Sequence, residues 1–184
     1  MRIKFFVVLS LVFFICGCAA WQLVKTPTKW ASSELGAILP EGWMRLNYSP
    51  DLLFLTKDGE MLQRIRIYRY ALNKDKELPI TKKEFSEDML PQDIAELIVN
   101  EASVDQNKQN FQLADNVPVG INGKEGFKIT YAYNTVEKLK VKSVLYGFRY
   151  KKFIYLIQYE AAAQYYFDKD INVFNQFVSD VTVK

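Results

Sequence analysis

The stretch "FIYLIQYE" at 153–160 constrains the fold more than any other part of the chain. Its length and composition suit a strand, and in a strand successive side chains point to opposite faces. Large apolar residues occur at both parities here, so both faces need cover. The stretch is therefore read as the central strand of a sheet that lies between two other layers. The 13 Phe and 11 Tyr of the chain supply much of the apolar surface for such a core.

The neighbouring runs alternate more simply. From Leu62 to Leu72, Ile65 and Ile67 share one strand face and Arg64, Arg66, Tyr68 and Tyr70 the other. Phe127, Ile129, Tyr131 and Tyr133 alternate through another strand. Leu139, Val141 and Leu145 occupy one face of a third, opposite Lys138, Lys140 and Lys142. Turns are signalled by Pro50 and Asp51, by "KDG" at 57–59, by "NGKEG" at 122–126 and by "RYKK" at 149–152. Hairpin-length links between these runs predict an antiparallel sheet.

Two segments change to a helical period. Thr81 and Glu84 have capping-box spacing, with Ile80 and Phe85 placed as a hydrophobic staple, which predicts a helix from about Lys82. Pro91 should kink or restart it, with Leu90, Ile94, Leu97 and Ile98 facing the core. Near the C-terminus, Ile171, Phe174, Phe177 and Val178 fit one helical face, with Asp168 as the expected N-cap. Strands, helix, strands, helix define an α/β fold of one domain.

The first twenty residues, "MRIKFFVVLSLVFFICGCAA", have the parts of an export signal: Arg2 and Lys4, an apolar run from Phe5 to Ile15, then small residues. The run is too short to span about 30 Å of hydrocarbon. Its "ICGC" ending resembles the bacterial lipobox. That resemblance implies cleavage after Gly17, diacylglycerol on Cys18, and anchoring in a bacterial envelope. In a Gram-negative host, Ala19 rather than Asp after the cysteine favours the outer membrane, facing the periplasm. An ordinary signal cleaved before Ala19, an uncleaved anchor and a two-cysteine metal or disulfide site at Cys16 and Cys18 are the other readings. The expected organisation is a signal peptide at 1–17, a lipidated N-terminus and tether at 18–37, and a domain at 38–184. Trp21 and Trp30 either meet the bilayer interface or pack on the domain.

Several motifs together resemble the PsbP/Mog1-like superfamily: "LPEGW" at 39–43, "NGKEGFKITYAY" at 122–133, "GFRYKKFIYLIQYEA" at 147–161 and "YYFDKDINVFNQFVSDV" at 165–181. The resemblance covers roughly residues 38–182. It implies an α/β/α sandwich around a mainly antiparallel sheet and an accessory or binding role. It carries no shared catalytic pattern onto this chain.

The chain contains no His, which removes the usual near-neutral base and the commonest metal ligand. No cofactor or metal is expected, and the chain is not expected to be an enzyme. Glu84, Glu87 and Asp88 are read as helix-start carboxylates. The formal charge of +3 falls toward neutrality once Arg2 and Lys4 leave with the signal, so nothing general favours nucleic acid. Two candidate binding surfaces remain. Lys138, Lys140 and Lys142 would meet anionic headgroups or a partner protein, or form a solvated or protected sheet face. Arg64, Arg66, Tyr68 and Tyr70 would bind a polyanion or stack, or lie under a covering helix. The expected function is a membrane-tethered, non-catalytic binding or accessory domain acting on an envelope protein or assembly. A carrier of a small apolar or anionic ligand is the alternative.

Overall fold

A computed structural model describes residues 20–72 and 77–184. Residues 1–17, expected as a signal peptide, and Cys18 lie outside the described residues. An α/β fold results, dominated by one eight-stranded antiparallel sheet. Its strands are β1 (Trp21–Leu23), β4 (Met44–Leu46), β5 (Leu53–Thr56), β6 (Gln63–Ala71), β10 (Phe153–Ala162), β9 (Lys140–Tyr150), β8 (Lys124–Asn134) and β7 (Gln109–Ile121), in that spatial order. A second sheet joins β11 (Thr182–Val183), β3 (Leu35–Leu39) and β2 (Thr28–Ala31). Helix α1 spans Pro91–Ser103 and α2 spans Tyr166–Ser179.

As the sequence predicts, β10 is an interior strand, flanked by β6 and β9, and it is buried nearly throughout. Tyr155, Ile157 and Tyr159 point into one apolar cluster with Phe174 and Phe177 of α2 and with Leu35 and Leu39 of β3. Ile154 and Leu156 point into another with Ile94 and Ile98 of α1. Each face thus has its own core and its own helix. The Asn122–Gly123 turn joins β7 to β8 with positive φ at both residues, the geometry that matches strand twist in a two-residue hairpin. Gly147 lies opposite Phe127 across β9 and β8, and a Cβ there would fall 2.1 Å from the Phe127 ring. The aromatic ring fills the space that a side chain would need.

Three local expectations change. Residues 21–37, expected as tether, contain β1, β2 and part of β3: Trp21 packs edge-on against Phe54 at 5.8 Å, and Trp30 is buried in the α2-side core. These strands are too short for a period of two to show in sequence.

The helix expected from Lys82 begins instead at Pro91. Pro occupies the first helical turn, where its missing N–H costs nothing, and the Asp93 carboxylate accepts the Leu90 N–H at 2.9 Å. Thr81 does not cap anything, because its N–H and hydroxyl both donate to Glu101 of α1, and Lys82 has φ of 58°. Leu90 is consequently exposed rather than in the core, and Glu84, Glu87 and Asp88 lie before the helix, not in its first turns.

Helix α2 starts two residues before its expected cap, Asp168. Phe167 packs on Tyr159 at 5.5 Å and draws the first turn toward Tyr166, which leaves Asp168 inside that turn.

Candidate binding cleft

Antiparallel register brings the polar side chains of β6, β10, β9 and β8 together on the α1 side of the sheet. Arg64 lies opposite Glu160 and Arg66 opposite Gln158; Glu160 in turn faces Ser143, which faces Tyr131. Directly paired residues share a face, so these side chains form one continuous floor.

Glu160 is buried, and both carboxylate oxygens are used. Arg64 donates to Oε2 from Nε at 2.9 Å and Nη2 at 2.7 Å, while the Tyr133 hydroxyl donates to Oε1 at 3.1 Å. Burial opposes ionisation of Glu160, but the Arg64 and Arg66 charges and the Arg64 hydrogen bonds together outweigh it and hold the carboxyl below its ordinary range. Gln158 is equally saturated. Its Oε1 accepts from Arg66 at 2.9 Å and Tyr68 at 3.2 Å, and its Nε2 donates to Tyr131 at 2.8 Å and Ser143 at 3.1 Å. Burial pushes the Tyr68, Tyr131 and Tyr133 hydroxyls well up, so they remain neutral donors and acceptors at physiological pH.

Above this floor opens a cleft of about 610 Å³. One wall is the end of α1, tied to the loop before it by Glu101, which accepts the Ile80 N–H at 2.7 Å and the Thr81 N–H at 2.8 Å. Aromatic faces continue the lining: Arg66 stacks 5.0 Å from the Tyr68 ring, and Tyr70 contacts Tyr68 edge-on. Lys108 sits over the Tyr133 ring and pairs with Asp105. At the mouth, the turn before β6 contributes Glu60 and Met61, and the turn after β8 contributes Val136 and Glu137. Asp51, 3.7 Å from Arg66, has its carboxyl raised by burial, against the lowering effect of Arg66 and Arg64.

Arg64, Arg66, Tyr68 and Tyr70, singled out in the sequence, all line this cleft. The lysines do not join them. Lys138 lies in the turn before β9 with φ of 65°. Lys140 is exposed, and Lys142 lies over the Phe167 ring of α2 and 3.8 Å from Asp168, on the other side of the sheet. Cys18 lies outside the described residues. Gln158 and Glu160 were missed as site residues, although their signal is visible: two polar residues on one parity of an otherwise apolar central strand.

The arrangement offers hydrogen-bond donors, aromatic faces and charges of both signs, which is the chemistry of binding. Among the described residues, no cluster of three or more His, Cys, Asp or Glu side chains could hold a metal ion.

No family profile and no curated protein sequence matches the chain. Solved structures do. The solution structure of cyanobacterial PsbP (CyanoP) from Synechocystis aligns with a TM-score of 0.61 and 11% identity over 92% of this chain and 95% of that one. LpqN, involved in cell envelope biogenesis of Mycobacterium tuberculosis, aligns at 0.56 and 13% over 89% and 91%. The Ran-binding protein Mog1p of Saccharomyces cerevisiae aligns at 0.53 and 8% over 86% and 96%. The described residues therefore share the fold of these three structures. At these identities the likeness is one of fold.

Proposed function

We propose that the protein is a membrane-tethered, non-catalytic binding or accessory domain that acts on an envelope protein or assembly, with the α1-side cleft as its binding surface. The observation that carries this reading is the cleft itself: an open, aromatic-walled cavity over a floor whose buried polar groups, Arg66 Nε excepted, satisfy one another. A pre-formed floor of this kind presents a fixed surface without reorganisation on binding. The lipobox-like "ICGC" supplies the tether through Cys18, and the envelope role stated for LpqN is consistent with that setting. In this reading the two helices, one for each face of the sheet, complete an α/β/α sandwich. Outer-membrane attachment facing the periplasm follows if the host is Gram-negative.

The non-catalytic part rests on chemistry. With no His, acid–base work would fall to the cleft carboxylates, of which Glu160, Glu101, Asp105 and Asp51 are engaged in hydrogen bonds or ion pairs and Glu60 and Glu137 are exposed to solvent. The cleft volume also lies in the range of small-molecule sites, which supports the carrier as a second reading. Its six carboxylates against three cationic side chains disfavour an anionic cargo.

The test is gentle-detergent purification of the native protein from its membrane, with mass spectrometry of the intact chain and of whatever is retained. A diacylglycerol mass on Cys18 with one reproducibly retained envelope protein is expected. An exported chain with unmodified Cys18 would sink the tether, and recovery with only a small molecule bound would replace the binding module with the carrier.

A further inference from the structure

The place where the folded chain begins limits what can cover its first strands. The Ala20 carbonyl accepts the Asn47 N–H at 2.9 Å, and β1 pairs with β4 from Trp21 onward. Only Ala19 separates Ala20 from Cys18, and two residues of chain reach at most about 7 Å. A diacylglycerol on Cys18 therefore holds the β1 edge of the large sheet at the headgroup layer, with no slack between domain and bilayer.

The side chains at that edge suit the place. Trp21 lies opposite Leu46 and Leu23 opposite Met44, so the four share one face. Trp21 packs on Phe54, and Phe54 lies opposite Arg66, which puts this face on the α1 side of the sheet. Helix α1 packs on β7, β8 and β9 and leaves this end of the face open. Leu23 is 48% exposed, Tyr48 just beyond β4 is 76% exposed, and Trp21, Met44 and Leu46 are half-buried. Arg45, paired with Gln22, turns to the reverse of the same edge, where it and Lys25 line a recess of about 400 Å³ with Gln22, Thr26 and Thr28 and no carboxylate. Residues 20–29 and 44–48 together contain Lys25, Lys29 and Arg45 and no Asp or Glu.

Apolar and aromatic side chains flanked by cations compose a surface for the bilayer interface. There Trp and Tyr sit at headgroup level, while Lys and Arg lay their stems on apolar surface and keep their charges at the phosphates. We infer that the β1–β4 face rests on an anionic phospholipid bilayer, with Trp21, Leu23, Leu46 and Tyr48 in the headgroup layer and Lys25 and Arg45 on its phosphates. The inference rests on the lipid-anchor reading of Cys18 and specifies which face of the domain meets the membrane. Strand β6 on the cleft floor lies three strand spacings from β1, about 14 Å, so this docking also keeps the cleft close to the membrane surface.

The test uses the mature lipidated chain, in which Cys16 has left with the signal and the Cys18 sulfur is a thioether, so that one added cysteine is the only free thiol. Leu23→Cys, Tyr48→Cys and, on the far edge strand β7, Val117→Cys are spin-labelled singly and reconstituted in vesicles of phosphatidylethanolamine and phosphatidylglycerol. All three positions are exposed, and an unchanged melting temperature would confirm that the fold is intact. The labels on β1 and after β4 are expected to gain collisions with oxygen and lose those with a water-soluble nickel chelate, while the label on β7 stays open to the chelate. Immersion should weaken in phosphatidylcholine vesicles and in the Lys25→Gln/Arg45→Gln background. Equal chelate access at all three positions, with the diacylglycerol mass present on Cys18, overturns the docking face and leaves the tether standing. Absence of that mass overturns both. Immersion indifferent to phosphatidylglycerol and to the two cations overturns the anionic-lipid contact. Spin–spin broadening on β1 that vanishes on dilution with unlabelled protein overturns the inference in favour of a second copy of the chain.

Discussion

Glu160 shows how a single buried charge ties the cleft to stability. Glu160→Gln removes the charge that Arg64 is built around, and breaking a buried pair from one side should cost about 3 kcal/mol in urea denaturation near neutral pH. The pH dependence has a definite sign. With the folded carboxyl below its ordinary 4.5, the unfolded chain binds more protons between the two values, so stability rises with pH through that window. The contribution is complete above 4.5 and is lost as pH falls through the folded value. The stability gap between wild type and Glu160→Gln should therefore narrow as pH falls below 4.5; a gap that does not respond to acid would contradict the ion-pair account. Asp51 acts in the opposite sense, because its folded carboxyl is raised above 3.8 and ionising it on the way up in pH is disfavoured by burial. A packing test sits beside these. Gly147→Ala should cost about 2 kcal/mol, since the Phe127 ring occupies the Cβ position. Pairing it with Phe127→Leu should recover part of that loss in a double-mutant cycle.

At the scale of the element, the start of α1 separates local signal from tertiary outcome. The Thr81/Glu84 spacing is a valid capping signature, yet Glu101, 20 residues further along the chain than Thr81, takes both Thr81 donors. Asp93→Ala should destabilise the protein by about 1 kcal/mol through loss of the Leu90 N–H acceptor. Glu84→Ala should stay within about 0.5 kcal/mol, as for other surface substitutions. The reverse ranking in thermal unfolding would restore the helix expected from Lys82. Strands with strong alternation, β6 and β8, were legible because burial on one face and exposure on the other repeats at each second residue. Strands of three to five residues such as β1, β2 and β3 contain too few alternations to register, and their pairing partners supply the information instead.

For the whole molecule, the small sheet joins the two ends of the folded chain. β11 pairs with β3, the Lys184 N–H donates to the Glu34 carbonyl, and Asn122 Nδ2 donates to the Val181 carbonyl at 2.7 Å beneath a fully buried Val181 side chain. Deleting Val181–Lys184 should lower stability by about 2–4 kcal/mol from lost apolar burial and hydrogen bonds, measured by calorimetry. The sequence by itself determined the central strand, the antiparallel hairpins and the stripe of Arg64, Arg66, Tyr68 and Tyr70. All of these follow from residue periodicity and turn chemistry within a dozen residues. Only the tertiary structure decided that this stripe meets Gln158 and Glu160, and that the lysines of β9 face the other way. The physical reason is register: which side chains meet across a sheet is set by pairing between strands far apart in the chain, 96 residues for Arg64 and Glu160, and no local pattern encodes that distance.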